Sequence, residues 1–155
     1  MQIGFAEAAD LEALAELLFE LFTLESDFMP QREKQLAALR SILEHPDRGR
    51  VFVARDENVV VGMANAQIGI STAEGGPVLI LEDVILAAGH RGNGHGRQLV
   101  EHVLRWAASE GMSRVTLLAD RDNAAALAFY QRLGFEESAM VVRRRRITGA
   151  DAPPP

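Results

Sequence analysis

Residues 91–97 read Arg91-Gly92-Asn93-Gly94-His95-Gly96-Arg97, three glycines at alternate positions between two arginines. A helix-period stripe follows at once: Leu99, Val100, Val103, Leu104 and Ala107. Glycine lets a backbone take positive φ and approach a ligand closely. The first N–H groups of a helix have no intrahelical acceptor, and the helix dipole makes that end positive. This order therefore aims backbone donors at one point and suits phosphate groups. Just upstream, residues 78–86 are apolar on both alternating faces, as expected of a strand covered on both sides. Two carboxylates, Glu82 and Asp83, interrupt that run.

The loop is not one of the common nucleotide motifs. A dinucleotide fingerprint needs a glycine at the sixth place counted from Gly92, where this chain has Arg97. A P-loop needs a lysine, and the only one is Lys34. What remains is R-x-x-G-x-G, formed by Arg91, Gly94 and Gly96. The absence of cysteine excludes disulfides, thiolate metal sites and a cysteine nucleophile. The four histidines show no metal-ligand spacing, so no metal is expected. A net charge of −6 disfavours nucleic acid as a partner and mildly favours a cationic one. No apolar run approaches the length of a membrane span, and the N-terminus lacks a signal-like pattern. A soluble, cytoplasmic protein is the expectation.

These groups need elements to place them. Residues 1–6 read as an edge strand. Asp10 is a suitable N-cap for a helix with its apolar stripe at Leu11, Leu14, Leu17, Leu18, Leu21 and Phe22. Pro30 opens a second helix carrying Leu36, Leu39 and Leu43, and Pro46 ends it. Residues 50–55 and 59–70 read as strands joined by a turn at Asp56-Glu57-Asn58, and a second turn leads into 78–86. After the glycine loop a helix runs to about Glu110, with Gly111 as its C-cap. A strand follows at 114–119, then a helix capped by Asp122 or Asn123 and closed by Gly134. Residues 138–147 alternate loosely and read as a last strand. Their four arginines, Arg143 to Arg146, suit an edge or an interface, which leaves a homodimer open. The order is β-α-α-β-β-β-α-β-α-β. This is an α/β (α+β) arrangement of four helices and a mixed, mostly antiparallel sheet of about six strands. Residues 1–147 form one domain, and 148–155 are expected to be a disordered tail.

The stretches LEDVILAAGHRGNGHG and NAAALAFYQRLGF together resemble the GNAT superfamily of acetyl-CoA-dependent N-acetyltransferases. The resemblance runs from the N-terminal helices to Phe135 and implies acetyl-CoA as co-substrate. It implies that Arg91, Gly92, Asn93, Gly94, His95, Gly96 and Arg97 hold the pyrophosphate of coenzyme A, chiefly through backbone N–H groups. It implies splayed central strands, with the pantetheine arm against the backbone of Val84, Ile85 and Leu86. Asn123 would lie near the pantetheine and Tyr130 near the thiol. The family often has an acidic residue and proline after the strand. This chain has Ala87-Ala88-Gly89, so the path of the loop is open.

Acetyl transfer to an amine requires loss of the ammonium proton, stabilisation of the carbonyl oxygen and a proton or hydrogen bond for the departing thiolate. Tyr130, the single tyrosine, suits the last task. Glu82 suits the first as base or water-orienting group, ahead of Asp83. Successive strand residues face opposite ways, so both can serve one site only if a bulge re-aims them. The Leu-Glu-Asp arrangement is similar to that of small-amine and polyamine acetyltransferases in this superfamily, with the glutamate at the acceptor. The acceptor itself carries no readable motif. Glu25, Phe28 and Glu82 are the expected contacts, with Asp27 as part of an acidic rim and Phe22 and Met29 nearby by position. A protein or peptide N-acetyltransferase and a non-catalytic acyl-CoA-binding module remain as alternatives on the same core.

Overall fold

In the computed structural model, which describes residues 1–25, 28–148 and 151, the strand expected to be central holds that position. Strand β4 (Gly76–Leu86) lies between the long antiparallel strand β3 (Val59–Ser71) and the short parallel strand β5 (Val115–Leu117). Strands β1 (Gln2–Phe5) and β2 (Gly49–Asp56) complete a sheet ordered β1-β2-β3-β4-β5. The β2–β3 turn has two positive-φ residues, Glu57 (46°) and Asn58 (71°), which suits the twist of a two-residue hairpin loop.

Helices α1 (Leu11–Leu24) and α2 (Arg32–Glu44) cover one face of the sheet. There Leu14, Leu17, Leu18 and Leu39 pack on Val51, Val53, Met63 and Ile85. Helix α3 (His95–Ser109) covers the other face with Leu99, Val100, Val103 and Ala107, against Phe52, Leu79 and Leu81. Fully burying each larger side chain contributes about 1.5–3 kcal/mol. Helix α4 (Ala124–Arg132) joins this second layer through Phe129 and Tyr130.

Several expectations are corrected. Residues 138–147 form no strand. Met140, Val141, Val142 and Ile147 are exposed, so among the described residues the sheet has five strands rather than six. A strand there would need a partner edge and would turn some of its four consecutive arginines toward a packed face, at a large desolvation penalty. Thr148 is described and donates to Asp151; the rest of the expected disordered tail lies almost wholly outside the described residues. Strand β5 keeps only three of the six residues expected. Helix α2 begins two residues after Pro30, where Gln35 Oε1 accepts the Gln31 N–H.

Asp10 does not cap α1 with its side chain. Its carboxylate accepts the Glu7 N–H and a bidentate pair from Arg55, both bonds at 2.7 Å. That pair holds the buried carboxyl below its ordinary range, the Arg55 hydrogen bonds being the largest cause. After β4, a single 3-10 turn (Ala88–His90) settles the loop path that the Ala87-Ala88-Gly89 departure left open.

Candidate active site

The site starts from a defect in β4. Met63 pairs with Ile85 and Asn65 with Glu82, so the single residue Ala64 faces two residues, Asp83 and Val84. This is a β-bulge, and Asp83 takes the left-handed φ of 50° to make it. An inserted residue shifts the alternation of faces by one. Val84 therefore joins Leu79 and Leu81 on the α3 side, and Ile85 moves to the α1–α2 side, the reverse of a regular strand.

At the same place β5 ends. Pairing with β4 covers Leu79, Ile80 and Leu81 and goes no further. From Glu82 to the strand's end, the β5-side edge of β4 has no strand beside it among the described residues. Where a splay is expected, at Val84, Ile85 and Leu86, β4 has an open edge because β5 has already ended.

Asn65 fixes Asp83. Gln67 Nε2 donates to Asn65 Oδ1 (3.0 Å), and Asn65 Nδ2 donates to Asp83 Oδ2 (3.1 Å). The other oxygen of Asp83 has no hydrogen-bond partner among the described residues. Asp83 lies against a cavity of about 260 Å³ between the sheet and α1–α2, walled by Leu18, Phe22 and Leu39, with Lys34 and Ala38 on α2. Burial pushes the Asp83 carboxyl up, partly offset by the Asn65 bond. Glu82, half-buried, is also pushed up, by desolvation first and the Asp83 charge second, while Arg144 pulls it down. Asn65 and Gln67 escape a reading of the sequence alone. Their signal is two amides on one face of an otherwise apolar strand.

The glycine loop fits a pyrophosphate. Gly92 and Gly94 adopt φ of 81° and 79°, and an added Cβ at either meets nothing within 4 Å, so their surface is open. Gln98 N–H is bonded to Gly94 O, and the N–H groups of His95, Gly96 and Arg97 precede that bond. The first turn of α3 carries no acid. His95 Nδ1 is buried without a hydrogen-bond partner. At Gly96 an added Cβ would touch Leu86 and Phe129 at 3.6 Å, so the helix start is packed against the strand end and α4. The two arginines are less free than their sequence suggests. Arg91 donates to the Leu86 carbonyl (2.8 Å) and to Glu20 on α1 (2.5 Å), and Arg97 pairs with Glu101. Asn93 lies exposed between Gly92 and Gly94.

Tyr130 is held by aromatic edges, with Phe129 at 5.1 Å and Phe135 at 5.7 Å between ring centroids. Burial, with a contribution from the Glu25 charge, pushes its hydroxyl up to about 12. Phe28 packs on Phe22 at 5.5 Å, and the Arg144 guanidinium lies 5.2 Å over the Phe28 ring. Asn123 caps α4, its Oδ1 accepting the Ala126 N–H at 3.0 Å. Met29 is exposed, and Asp27 lies outside the described residues. Among the described residues no group of three His, Asp or Glu side chains could hold a metal, and no helix is long and apolar enough to cross a membrane.

A bulged, half-open central strand beside a glycine-rich helix start defines the class. Residues 11–135 match the model of the acetyltransferase (GNAT) family, and the chain belongs to that family. It is an acetyl-CoA-dependent N-acetyltransferase. The chain is 32% identical to the N-alpha-acetyltransferase RimI of Mycobacterium tuberculosis, over 97% of this chain and 87% of that protein. It is 29% identical to aminoglycoside N(6')-acetyltransferase type 1 of Salmonella typhimurium, over 61% of this chain and 68% of that one. Among solved structures, the aminoglycoside N-acetyltransferase AAC(6')-Iy in complex with CoA superposes with a TM-score of 0.78 at 26% identity, covering 94% of this chain and 93% of its own.

Proposed function

We propose that the chain transfers the acetyl group of acetyl-CoA directly to a primary amine of a small cationic molecule, in a ternary complex. The observation that carries this reading is the coincidence of three features at one point: the bulge, the end of β5 and the open oxygen of Asp83 beside a cavity.

Acetyl-CoA supplies the activated acyl group as its thioester. The backbone N–H groups of Gly92, Asn93, Gly94, His95 and Gly96 hold the pyrophosphate, with Arg91 and Arg97 adding charge. The open edge of β4 at residues 84–86 aligns the pantetheine, with Asn123 beside it, and offers a backbone donor to the acetyl oxygen. Asp83 receives and orients the amine. Glu82, which reaches closer to solvent, accepts the ammonium proton and passes it outward. The new C–N bond forms as the C–S bond breaks, and the second proton shed by the acylated nitrogen passes through water to the departing sulfur.

Tyr130 stays protonated through neutral pH. A hydroxyl pushed up to about 12 by burial holds its proton more firmly than an ordinary thiol near 8.5. Tyr130 therefore stabilises the departing sulfur by hydrogen bonding, and water completes its protonation. With no cysteine in the chain, transfer through an acyl-cysteine is excluded.

The test is thiol release from acetyl-CoA with a panel of amines. Tyr130→Phe is expected to lower kcat about 10²-fold while CoA affinity stays unchanged. Failure to acetylate any amine would overturn the proposal. The likeness to a protein N-alpha-acetyltransferase over nearly the whole chain favours a second reading, acetylation of a protein N-terminus. Preference for peptides over every small amine would select it.

A further inference from the structure

Resting on the acetyl-transfer reading above, we infer that the acceptor is a monoamine bearing an apolar substituent, seated in the cavity between α1, α2 and the sheet with its nitrogen at Asp83. The walls support the apolar half: Leu18, Phe22, Leu39 and Ala38 meet the space, and Leu18 and Leu39 are buried core residues. A ligand that fills it removes apolar surface from water at about 25 cal/mol per Å².

The polar half is small and directed. Asn65 occupies one oxygen of Asp83, leaving the other for a single ammonium group. Among the described residues the charged lining is one carboxylate, Asp83, and one ammonium, Lys34, which gives no acidic excess to attract a polycation. Outside it, Glu82 is already acted on by Arg144, whose guanidinium stands over Phe28.

Size agrees. About 260 Å³ is below the range of about 300–1,000 Å³ usual for drug-sized ligands. An alkyl or arylalkyl group of modest length suits this space better than an aminosugar of several rings.

The experiment uses the full chain with saturating acetyl-CoA and follows thiol release. Its probes are hexylamine and phenethylamine, spermidine, a multi-ring aminoglycoside and a short peptide with a free N-terminus. The expected result is kcat/KM at least tenfold higher for the two apolar monoamines than for the others. A preference for spermidine, the aminoglycoside or the peptide overturns this inference while leaving acetyl transfer to amines intact. No turnover with any probe overturns both. Ala38 is exposed at the cavity mouth, so Ala38→Trp can fill the space without disturbing the core. With this variant the phenethylamine KM is expected to rise at least tenfold and the acetyl-CoA KM to stay unchanged; an unchanged amine KM overturns the placement.

Discussion

The two halves of β4 differ in how fully their backbone is used. From Leu79 to Leu81 the strand is paired on both sides, its side chains alternate regularly, and Leu79 and Leu81 are fully buried. From Glu82 onward it is paired on one side only, carries a bulge and holds one residue at positive φ. The first half is built as sheet interior usually is. The second half leaves an edge open, buries a carboxyl and takes up a backbone conformation that L-residues rarely adopt, each of which lowers stability. The contrast shows where stability is made and where it is given up for a site.

The sharpest way to break the contrast is Asp83→Asn. Asparagine tolerates positive φ and can still accept from Asn65, so the fold is kept. Turnover is expected to drop by about 10²–10⁴-fold. Melting temperature is expected to rise, because burial raises the Asp83 carboxyl and its charged form opposes folding at neutral pH. With the folded pKa above the unfolded one, stability declines as pH climbs from the unfolded to the folded value. A calorimetric scan beside an activity assay reads both, and lost activity with a lowered melting temperature would contradict the comparison.

Leu81→Ala probes the first half. Truncating this buried leucine is expected to cost about 2–5 kcal/mol in denaturant unfolding. At low temperature kcat per folded molecule should be unchanged. A specific loss of kcat would mean that the halves are not separable.

Gly94→Ala comes next. Its φ of 79° makes any Cβ strained by about 1–2 kcal/mol, although nothing crowds it. CoA affinity by calorimetry should fall about tenfold, with the amine KM unaffected. The smallest effect is on the pH profile. Both carboxyls are pushed up, so the acid limb of kcat/KM should lie above the ordinary carboxylate value of about 4.3. An acid limb at or below that value would count against both carboxylates as acceptor-site groups.

Much of this is legible in the sequence, because local chemistry decides it. Gly92 and Gly94 announce a loop at positive φ, Asp56-Glu57-Asn58 the hairpin, and the leucines of α1 and α3 their buried faces. The bulge is harder to read. Glu82-Asp83 mark the position, but whether the extra residue is absorbed depends on the register with Met63 and Asn65 on another strand. The missing last strand has a similar cause. Alternation at 138–147 is a local signal, whereas pairing requires a free edge and a face that accepts arginine. Asp10 reads wrongly as a cap for the same reason, since its partner Arg55 is distant in sequence.

Helix α1 touches both proposed substrate sites at once. Its Glu20 holds Arg91 of the glycine loop, and two residues away on either side Leu18 and Phe22 wall the cavity beside Asp83. A pyrophosphate that draws Arg91 toward itself weakens a tether on the same helix that shapes the amine's seat. On the proposed reading the two ligands are heterotropically linked: any free energy that the first invests in α1 reappears, by reciprocity, in the affinity of the second.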